Sequence, residues 1–240
     1  MIGQMQERDN RVVIHVGQSR QLTQKQIGLL EFPYCGNKGY EYSYNTCQRR
    51  IREFYIPNKF LSEPTYMDLK GNGSTYPIYT LASEGKALYE HLTGFKPKTN
   101  YISFKYTPHL IETNKIIIFL KRKGYINIDD KNTSFEIEYK VGDKLADLRI
   151  EIKEFAFYVE IDLSEKDWKK EIQEQFNKYQ KAFKQGKNKD KDIGVLYYSN
   201  RSKKLKKWLS QLYKGYLKVK FCKRQPKNIS QAIRKFAKEL

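Results

Sequence analysis

Three acidic residues in the middle of the chain have the types and spacing of a metal-binding site. Asp147 lies among strand-forming residues, and Glu160 and Asp162 lie near the end of the next such run. Because side chains alternate across a strand, Glu160 and Asp162 should share the face opposite the packed one. With Asp147 on the neighbouring strand, the three carboxylates would converge at one sheet edge and bind Mg²⁺ through their oxygens and water. The alternative is a solvated acidic sheet face.

The segments around these carboxylates have the pattern of a sheet with covering helices. The run that ends at Glu160 and Asp162 has apolar odd positions, namely Phe155, Phe157, Val159, Ile161 and Leu163. The run Ile193–Ser199 is nearly all apolar, which is typical of a strand buried inside a sheet. We predict the order αβββαβαβα, with strands at Ser134–Lys140, Leu145–Ile152, Phe155–Leu163, Ile193–Ser199 and Leu217–Cys222, and helices at Thr107–Lys123, Asp167–Lys184, Ser202–Tyr213 and Asn228–Leu240.

The first 94 residues contain the signals of a helical unit with one hairpin. Thr23 is a good N-cap for a helix that carries Ile27 and Leu30. A glycine-rich turn at 71–74 separates two short strand-like runs, which predicts a hairpin. Further helices are predicted at Glu7–Gly17, Ser43–Phe54 and Ser83–Leu92, with a loop at Pro33, Gly36 and Gly39. This order of elements predicts a winged helix-turn-helix.

The helix at Ser43–Phe54 is the predicted recognition helix. Its apolar residues fall at helical spacing, so its polar residues point away from the core. Gln, Asn and Arg are the side chains that contact base edges in the major groove. The predicted DNA-binding residues are Tyr44, Asn45, Gln48, Arg49 and Arg52. Two alternatives remain: a three-helix packing unit with a wet polar face, and a winged helix that binds protein.

Charge supports a polyanionic partner. The 240 residues carry a net charge of +19, with 30% charged and 14% aromatic residues. Ser164–Leu240 contains 23 Lys+Arg against 7 Asp+Glu, a net of +16, so the excess belongs to the C-terminal part. DNA, RNA or an anionic membrane surface would attract such a segment. The alternative is a lysine-rich surface that is merely solvated.

Other compositional features narrow the class of protein. The cysteines Cys35, Cys47 and Cys222 form neither a zinc pattern nor a disulfide framework, and the chain has three histidines. We therefore expect a cytoplasmic protein without a histidine-based metal site. There is no signal-peptide pattern and no apolar run of transmembrane length, so we expect no membrane partner.

A series of short motifs runs along both halves of the chain. The N-terminal half contains Arg-Asp-Asn-Arg-Val-Val, Leu-Thr-Gln-Lys-Gln-Ile, Cys-Gln-Arg-Arg-Ile-Arg and Pro-Ile-Tyr-Thr-Leu-Ala-Ser-Glu-Gly. His109-Leu110, Asp147, Glu160-x-Asp162 and Lys178-Tyr179 follow. In this order the motifs resemble the replication–relaxation family of plasmids and related bacterial mobile elements. The resemblance covers about residues 8 to 200, and it depends on the ordered series of motifs rather than on one of them.

The resemblance implies an α+β protein of two domains. These are a winged helix-turn-helix at 1–94, a linker at 95–106, and at 107–240 a domain like the PD-(D/E)xK restriction-endonuclease core. The nuclease lysine is missing, because Asp162 stands two residues after Glu160. Lys178 is the candidate replacement, beside Asp147, Glu160 and Asp162 as catalytic and Mg²⁺-binding residues.

We therefore expect a double-stranded DNA-binding protein that acts in plasmid replication initiation, or in relaxation and mobilisation. Its expected partners are a replication initiator or relaxase, with a homodimer as a further alternative. A Mg²⁺-dependent endonuclease or nickase that uses Asp147, Glu160 and Asp162 is the enzyme alternative, and a non-catalytic nuclease-like domain is preferred to it. A transcriptional regulator of the same element is the third.

Overall fold

Helices and mixed sheets make this an α+β protein. The computed structural model describes residues 4–36, 39–68, 75–98, 106–127, 130, 132–153, 155–163, 169–184, 192–199, 218–223 and 225–238. The chain forms two compact units, 1–118 and 119–240. No helix within the described ranges is long and apolar enough to span a bilayer.

Unit 1 contains a small helical core beside a three-stranded sheet. The sheet has the order β1-β5-β4, and both pairs are antiparallel. A second, two-stranded sheet is formed by β2 and β3. The elements are α1 (Glu7–Ser19), β1 (Leu22–Thr23), α2 (Gln24–Glu31), β2 (Pro33–Gly36), β3 (Gly39–Tyr42), α3 (Tyr44–Arg50) continued by a π-helical turn (Ile51–Tyr55), β4 (Thr65–Asp68), β5 (Thr75–Tyr79) and α4 (Ser83–Thr93).

Local signals explain most of these elements. Thr23 caps α2 as predicted: its hydroxyl accepts the Gln26 backbone N–H, and the Gln26 side chain accepts the Thr23 N–H. Helices α1 and α4 approach closely at Gly17, where an added methyl group would lie 2.2 Å from the Tyr89 ring. The core contains apolar side chains from all parts of the unit, among them Val12, Val16, Leu22, Ile27, Cys47, Ile51, Tyr55, Leu61 and Leu81.

The segment after α2 differs from the prediction. The sequence predicts a loop here because of Pro33, Gly36 and Gly39, whereas the chain forms the β2–β3 hairpin. The glycines do not interrupt the pairing, because Gly36 and Gly39 are partners at its closed end. The tyrosines of this segment favour extended backbone, which is the property that the loop prediction overlooked.

Helix α5 (Thr107–Arg122) contains the division between the two units, which falls after Ile118. Its first part binds into unit 1 through buried side-chain amides. Gln26 donates to the Ile111 carbonyl at 3.1 Å, and Asn114 donates to the Gln21 carbonyl at 2.7 Å. The sequence places the boundary earlier, at 95–106, because it contains no signal for these long-range amide contacts.

Unit 2 is built on a five-stranded sheet of order β10-β9-β8-β7-β6. β6, β7 and β8 are antiparallel, and β8, β9 and β10 are parallel. The elements are β6 (Thr133–Val141), β7 (Lys144–Ile152), β8 (Phe155–Asp162), α6 (Lys169–Lys184), β9 (Asp192–Ser199), β10 (Lys218–Lys223) and α7 (Pro226–Lys238). The predicted helix at Ser202–Tyr213 lies outside the described residues. The other elements lie where the sequence predicts them, with ends that differ by up to two residues.

Helix α6 packs on the sheet of unit 2 through an apolar stripe. Its members are Ile172, Phe176, Tyr179 and Ala182, which recur at spacings of three and four. They form one core cluster with Val141, Ala146, Tyr158, Val195 and Tyr197 of the sheet. The predicted carboxylate site lies under this helix.

Candidate functional site

The polar residues predicted to contact DNA form one exposed face of α3 and its π-helical turn. Each of them is exposed, and the exposed fraction of the Tyr44 side chain is 52%. The residues between them are buried in the core of unit 1, namely Cys47, Ile51, Phe54 and Tyr55. The helix therefore presents Tyr44, Asn45, Gln48, Arg49 and Arg52 to solvent.

A buried carboxylate fixes this helix to α1. Asp9 is fully buried, and its carboxylate accepts two hydrogen bonds from the Arg50 guanidinium. Nε donates to Oδ1 at 3.2 Å, and Nη2 donates to Oδ2. The Tyr55 hydroxyl donates to the same carboxylate at 2.7 Å, and the Gln6 backbone N–H donates at 2.8 Å. The guanidinium also stacks 3.6 Å above the Phe54 ring centroid. This network uses Arg50, so that arginine is structural, while Arg49 and Arg52 face outward.

Strand β5 shares the core of unit 1 with α3, because Tyr79 belongs to the same buried cluster as Cys47 and Ile51. The pKa of Tyr79 is raised to about 12, mainly by burial. On the neighbouring strand β4, Tyr66 is 63% exposed, so the hairpin presents an aromatic side chain to solvent.

In unit 2, Glu160 is buried under α6, and both of its carboxylate oxygens accept hydrogen bonds. The Tyr179 hydroxyl donates to Oε1. The Lys144 ammonium donates to Oε2 at 2.9 Å and to the Leu145 carbonyl at 2.8 Å. The side chains of Lys144 and Glu160 are 12% and 5% exposed, so the ion pair lies almost wholly inside the protein.

A tight turn places Lys144 at this position. Val141 pairs with Lys144 across a two-residue loop in which Gly142 has φ 57°. A methyl group at Gly142 would lie 2.9 Å from the Ala182 Cβ atom of α6, so glycine is required by the backbone and by the close approach. The turn therefore brings the first side chain of β7 under α6.

The other two predicted carboxylates make separate contacts. The Asp147 carboxylate accepts the Ile161 backbone N–H at 2.7 Å, just beyond the last β7–β8 pair, Leu148 with Val159. It thus supplies a side-chain acceptor where the backbone ladder has ended. The Asp162 carboxylate accepts the Ser199 hydroxyl at 2.8 Å, and these two residues are register partners on β8 and β9.

Electrostatics at Glu160 follow from this burial. The pKa of Glu160 is raised to about 7, mainly by loss of solvent and in addition by the neighbouring Asp147 carboxylate. Lys144 and Tyr179 lower the pKa of Glu160, but they only partly offset the first two effects. Asp147 and Glu160 are therefore close enough to interact, and the Lys144 ammonium is hydrogen-bonded to Glu160.

Within the described ranges, no group of three or more His, Cys, Asp or Glu side chains lies close enough together to hold a metal ion. Lys178, the candidate catalytic lysine, lies on the exposed side of α6. Its neighbour Tyr179 is the residue of that helix that contacts Glu160.

The expectation that Glu160 lies on an unpacked sheet face is wrong. All residues from Ala156 to Ile161 are buried, so both faces of β8 are covered there. The apolar stripe of α6 covers the face that carries Tyr158, which the alternation within one strand does not reveal. The sequence did not predict the contacts of Glu160 with Lys144 and Tyr179. Tyr179 could have been found from its place in the α6 stripe, while nothing in the sequence distinguishes Lys144 from other lysines.

Comparison of the chain with protein-family models, curated proteins and solved structures found no match. The resemblance to the replication–relaxation family therefore remains a prediction from the ordered motifs. Two parts of the molecule bear on function: the exposed face of α3 in unit 1, and the carboxylates Asp147, Glu160 and Asp162 in unit 2.

Proposed function

We propose that this chain is a DNA-binding protein of a plasmid or related mobile element, active in the cytoplasm in replication initiation or in relaxation and mobilisation. The observation that carries the proposal is the face of α3. Five side chains able to contact bases or phosphates project from it together, while Arg50 and Asp9 anchor the same helix from below. A helix held in this way can enter the major groove without losing much conformational entropy.

The elements around α3 support a winged helix-turn-helix. The three helices α1, α2 and α3 are followed by the hairpin β4–β5, which pairs with β1 between α1 and α2. In this arrangement α3 is the recognition helix and the hairpin is the wing. Tyr66 on β4 would then add a hydroxyl and an aromatic face beside the groove that α3 enters.

We propose that unit 2 holds the DNA backbone rather than cutting it. Its antiparallel and parallel strands and helix α6 are compatible with a PD-(D/E)xK nuclease-like core. The charge excess after residue 164 supplies lysines for phosphate contacts. Because Asp147, Glu160 and Asp162 are each bonded to protein groups, the non-catalytic role is preferred. A replication initiator or relaxase is the proposed protein partner.

The first test compares two double variants that remove equal charge. Arg49→Ala/Arg52→Ala removes two arginines from the α3 face, and Lys86→Ala/Lys96→Ala removes two exposed lysines outside it. Binding to a duplex selected from random DNA is measured by fluorescence anisotropy. We expect the arginine double variant to lose affinity and sequence preference, since each good base contact contributes about 1–3 kcal/mol. Equal losses in the two double variants would contradict a role for α3 in base recognition.

The second test concerns the basic segment 201–207, which lies outside the described residues. It carries Arg201, Lys203, Lys204, Lys206 and Lys207. Each phosphate contact contributes about 0.9 to the slope of log affinity against log salt. Replacement of the five by Gln should make that slope shallower and leave the preferred sequence unchanged. An unchanged slope would place the electrostatic contact elsewhere.

A further inference from the structure

We infer that the Lys144 ammonium takes the place of a metal ion beside the Asp147–Glu160 pair. The pair should therefore bind a divalent metal ion only when the ammonium is removed. The inference concerns unit 2 alone and does not depend on DNA binding by α3. It starts from a disagreement: the nuclease-like core implies a carboxylate-bound Mg²⁺, and the side chains present do not fit one.

Both oxygens of Glu160 are already used. One accepts the Tyr179 hydroxyl, and the other accepts the Lys144 ammonium at 2.9 Å. Mg²⁺ requires nearly octahedral oxygen ligands at about 2.0–2.1 Å and usually keeps several waters. A buried carboxylate with a phenol on one side and an ammonium on the other has neither a free oxygen nor space for a hydrated ion.

The ammonium makes the contacts that a bound cation would make. It binds the Glu160 carboxylate and the Leu145 carbonyl, which are both oxygen donors, and it lies 5.8 Å from the Tyr179 ring centroid. It is also nearly buried, so solvent screens its attraction to the carboxylates only weakly. Lys144, the first residue of β7, therefore supplies the positive charge that two neighbouring carboxylates require.

The remaining oxygens are committed to the fold. Asp147 accepts the Ile161 N–H at the point where the β7–β8 ladder ends, and Asp162 accepts the Ser199 hydroxyl. Turning either carboxylate toward an ion at Glu160 would leave a strand N–H or a buried hydroxyl without that acceptor, which is unfavourable inside the protein. This cost is the second reason why the wild-type pair does not take a metal ion.

The experiment measures Mn²⁺ binding by the full chain at pH 8, with free Mn²⁺ followed by its electron paramagnetic resonance signal. The proteins are wild type, Glu160→Gln, Lys144→Ala, Lys144→Ala/Glu160→Gln and the matched control Lys178→Ala, which removes an exposed lysine of the same unit. We expect Lys144→Ala to bind one Mn²⁺ at least about tenfold more tightly than wild type, because a repelling charge is removed and its space is opened. The added Glu160→Gln should abolish the gain, and Lys178→Ala should behave like wild type.

Two results would overturn the inference. The first is a wild-type chain that binds one Mn²⁺ with an affinity that Glu160→Gln removes, since the carboxylates would then hold a metal beside the ammonium. The second is a folded Lys144→Ala chain that binds no more tightly than wild type. If Lys144→Ala is unfolded in EDTA, circular dichroism in MnCl₂ decides: refolding supports the substitution of metal for ammonium, and a chain that stays unfolded contradicts it.

Discussion

Unit 1 and unit 2 each contain a buried carboxylate that accepts hydrogen bonds from a cationic side chain and from a tyrosine hydroxyl. In unit 1 these are Asp9, Arg50 and Tyr55, and in unit 2 they are Glu160, Lys144 and Tyr179. The chemical groups are nearly the same, but their effects on the carboxylate are opposite. Burial alone would raise the pKa of Asp9, yet the hydrogen bonds from Arg50 and Tyr55 leave it lowered. The pKa of Glu160 is instead raised to about 7.

The difference lies in the number of donors and in the nearest charge. Asp9 accepts two bonds from a guanidinium, one from a hydroxyl and one from the Gln6 N–H, and such bonds favour the ionised form. Glu160 has a single ammonium and a hydroxyl, and Asp147 repels it. A fork-shaped cation that meets both oxygens therefore stabilises a charged carboxylate better than a point charge that meets one.

The largest expected effect is on the first of these networks. Arg50→Ala should lower the free energy of unfolding by about 3–5 kcal/mol, because it leaves the fully buried Asp9 without its counter-ion. Denaturant unfolding of the full chain measures the loss. Arg49→Ala, one residue away but exposed, should change stability by less than about 0.5 kcal/mol. Similar losses in the two variants would contradict the assignment of Arg50 to the buried network around Asp9 and of Arg49 to the surface.

The two tyrosine hydroxyls give the next largest effect and test the comparison directly. Tyr55→Phe should cost about 1.5–3 kcal/mol, because it removes a bond to an ionised carboxylate, and the cost should be constant between about pH 6 and pH 8. Tyr179→Phe should cost more as the pH rises, because the hydroxyl favours the ionised form of Glu160. Unfolding at several pH values measures both. A cost of Tyr179→Phe that does not depend on pH would show that Glu160 does not titrate in this range.

The pH dependence of stability should differ in sign between the two carboxylates. A carboxyl group whose pKa is raised by folding contributes stability that is complete below its unfolded value and is lost as the pH rises. For Glu160 this loss falls between pH 4.5 and about 7. Glu160→Gln should remove this part of the decline, a change of about 3 kcal/mol.

Asp9→Asn should act at the other end of the scale. The pKa of Asp9 is lowered from 3.8, so its contribution is present above that value and is lost as the pH falls through the lowered pKa. Melting temperatures of wild type, Glu160→Gln and Asp9→Asn across pH 3–8 test whether the two carboxylates change stability with pH in opposite directions. Parallel curves for wild type and Glu160→Gln between pH 4.5 and 7 would contradict the raised pKa of Glu160.

Short-range patterns predicted much of this protein. The capping residue Thr23, the apolar stripe through Cys47, Ile51 and Phe54, and the hairpin after residue 64 all follow from neighbours in sequence. The same patterns correctly predicted that Gln48, Arg49 and Arg52 point away from the core, whereas Tyr44, which falls at the spacing of the apolar stripe, is exposed. These features depend on helix and strand periods, which a single sequence displays.

Long-range pairings could not be predicted in the same way. Lys144 and Glu160 are 16 residues apart, and Arg50 and Asp9 are 41 residues apart. Charged residues make up 30% of the chain, so residue type alone does not select these pairs from many others. The pleat is a further source of error. Glu138 has φ 55° and its pair with Asp147 is missing from the β6–β7 ladder, and strand period does not predict this irregularity next to the predicted site.

The smallest expected effect concerns Lys178, the lysine that the sequence motifs predicted to be catalytic. Lys178 is exposed on α6, whereas Tyr179 beside it is buried against Glu160. Lys178→Ala should therefore change stability by less than about 0.5 kcal/mol, as expected for a surface substitution away from buried charges.

Lys144→Met keeps an aliphatic chain of similar length but removes the ammonium. It should therefore raise the pKa of Glu160 and destabilise the fold at pH values above the ordinary pKa of a carboxyl group. Denaturant unfolding of both variants at pH 8 compares the two lysines. A stability loss in Lys178→Ala that matches the loss in Lys144→Met would mean that the exposed lysine also reaches the buried carboxylates, and the distinction between a closed cluster and a solvated helix face would fail.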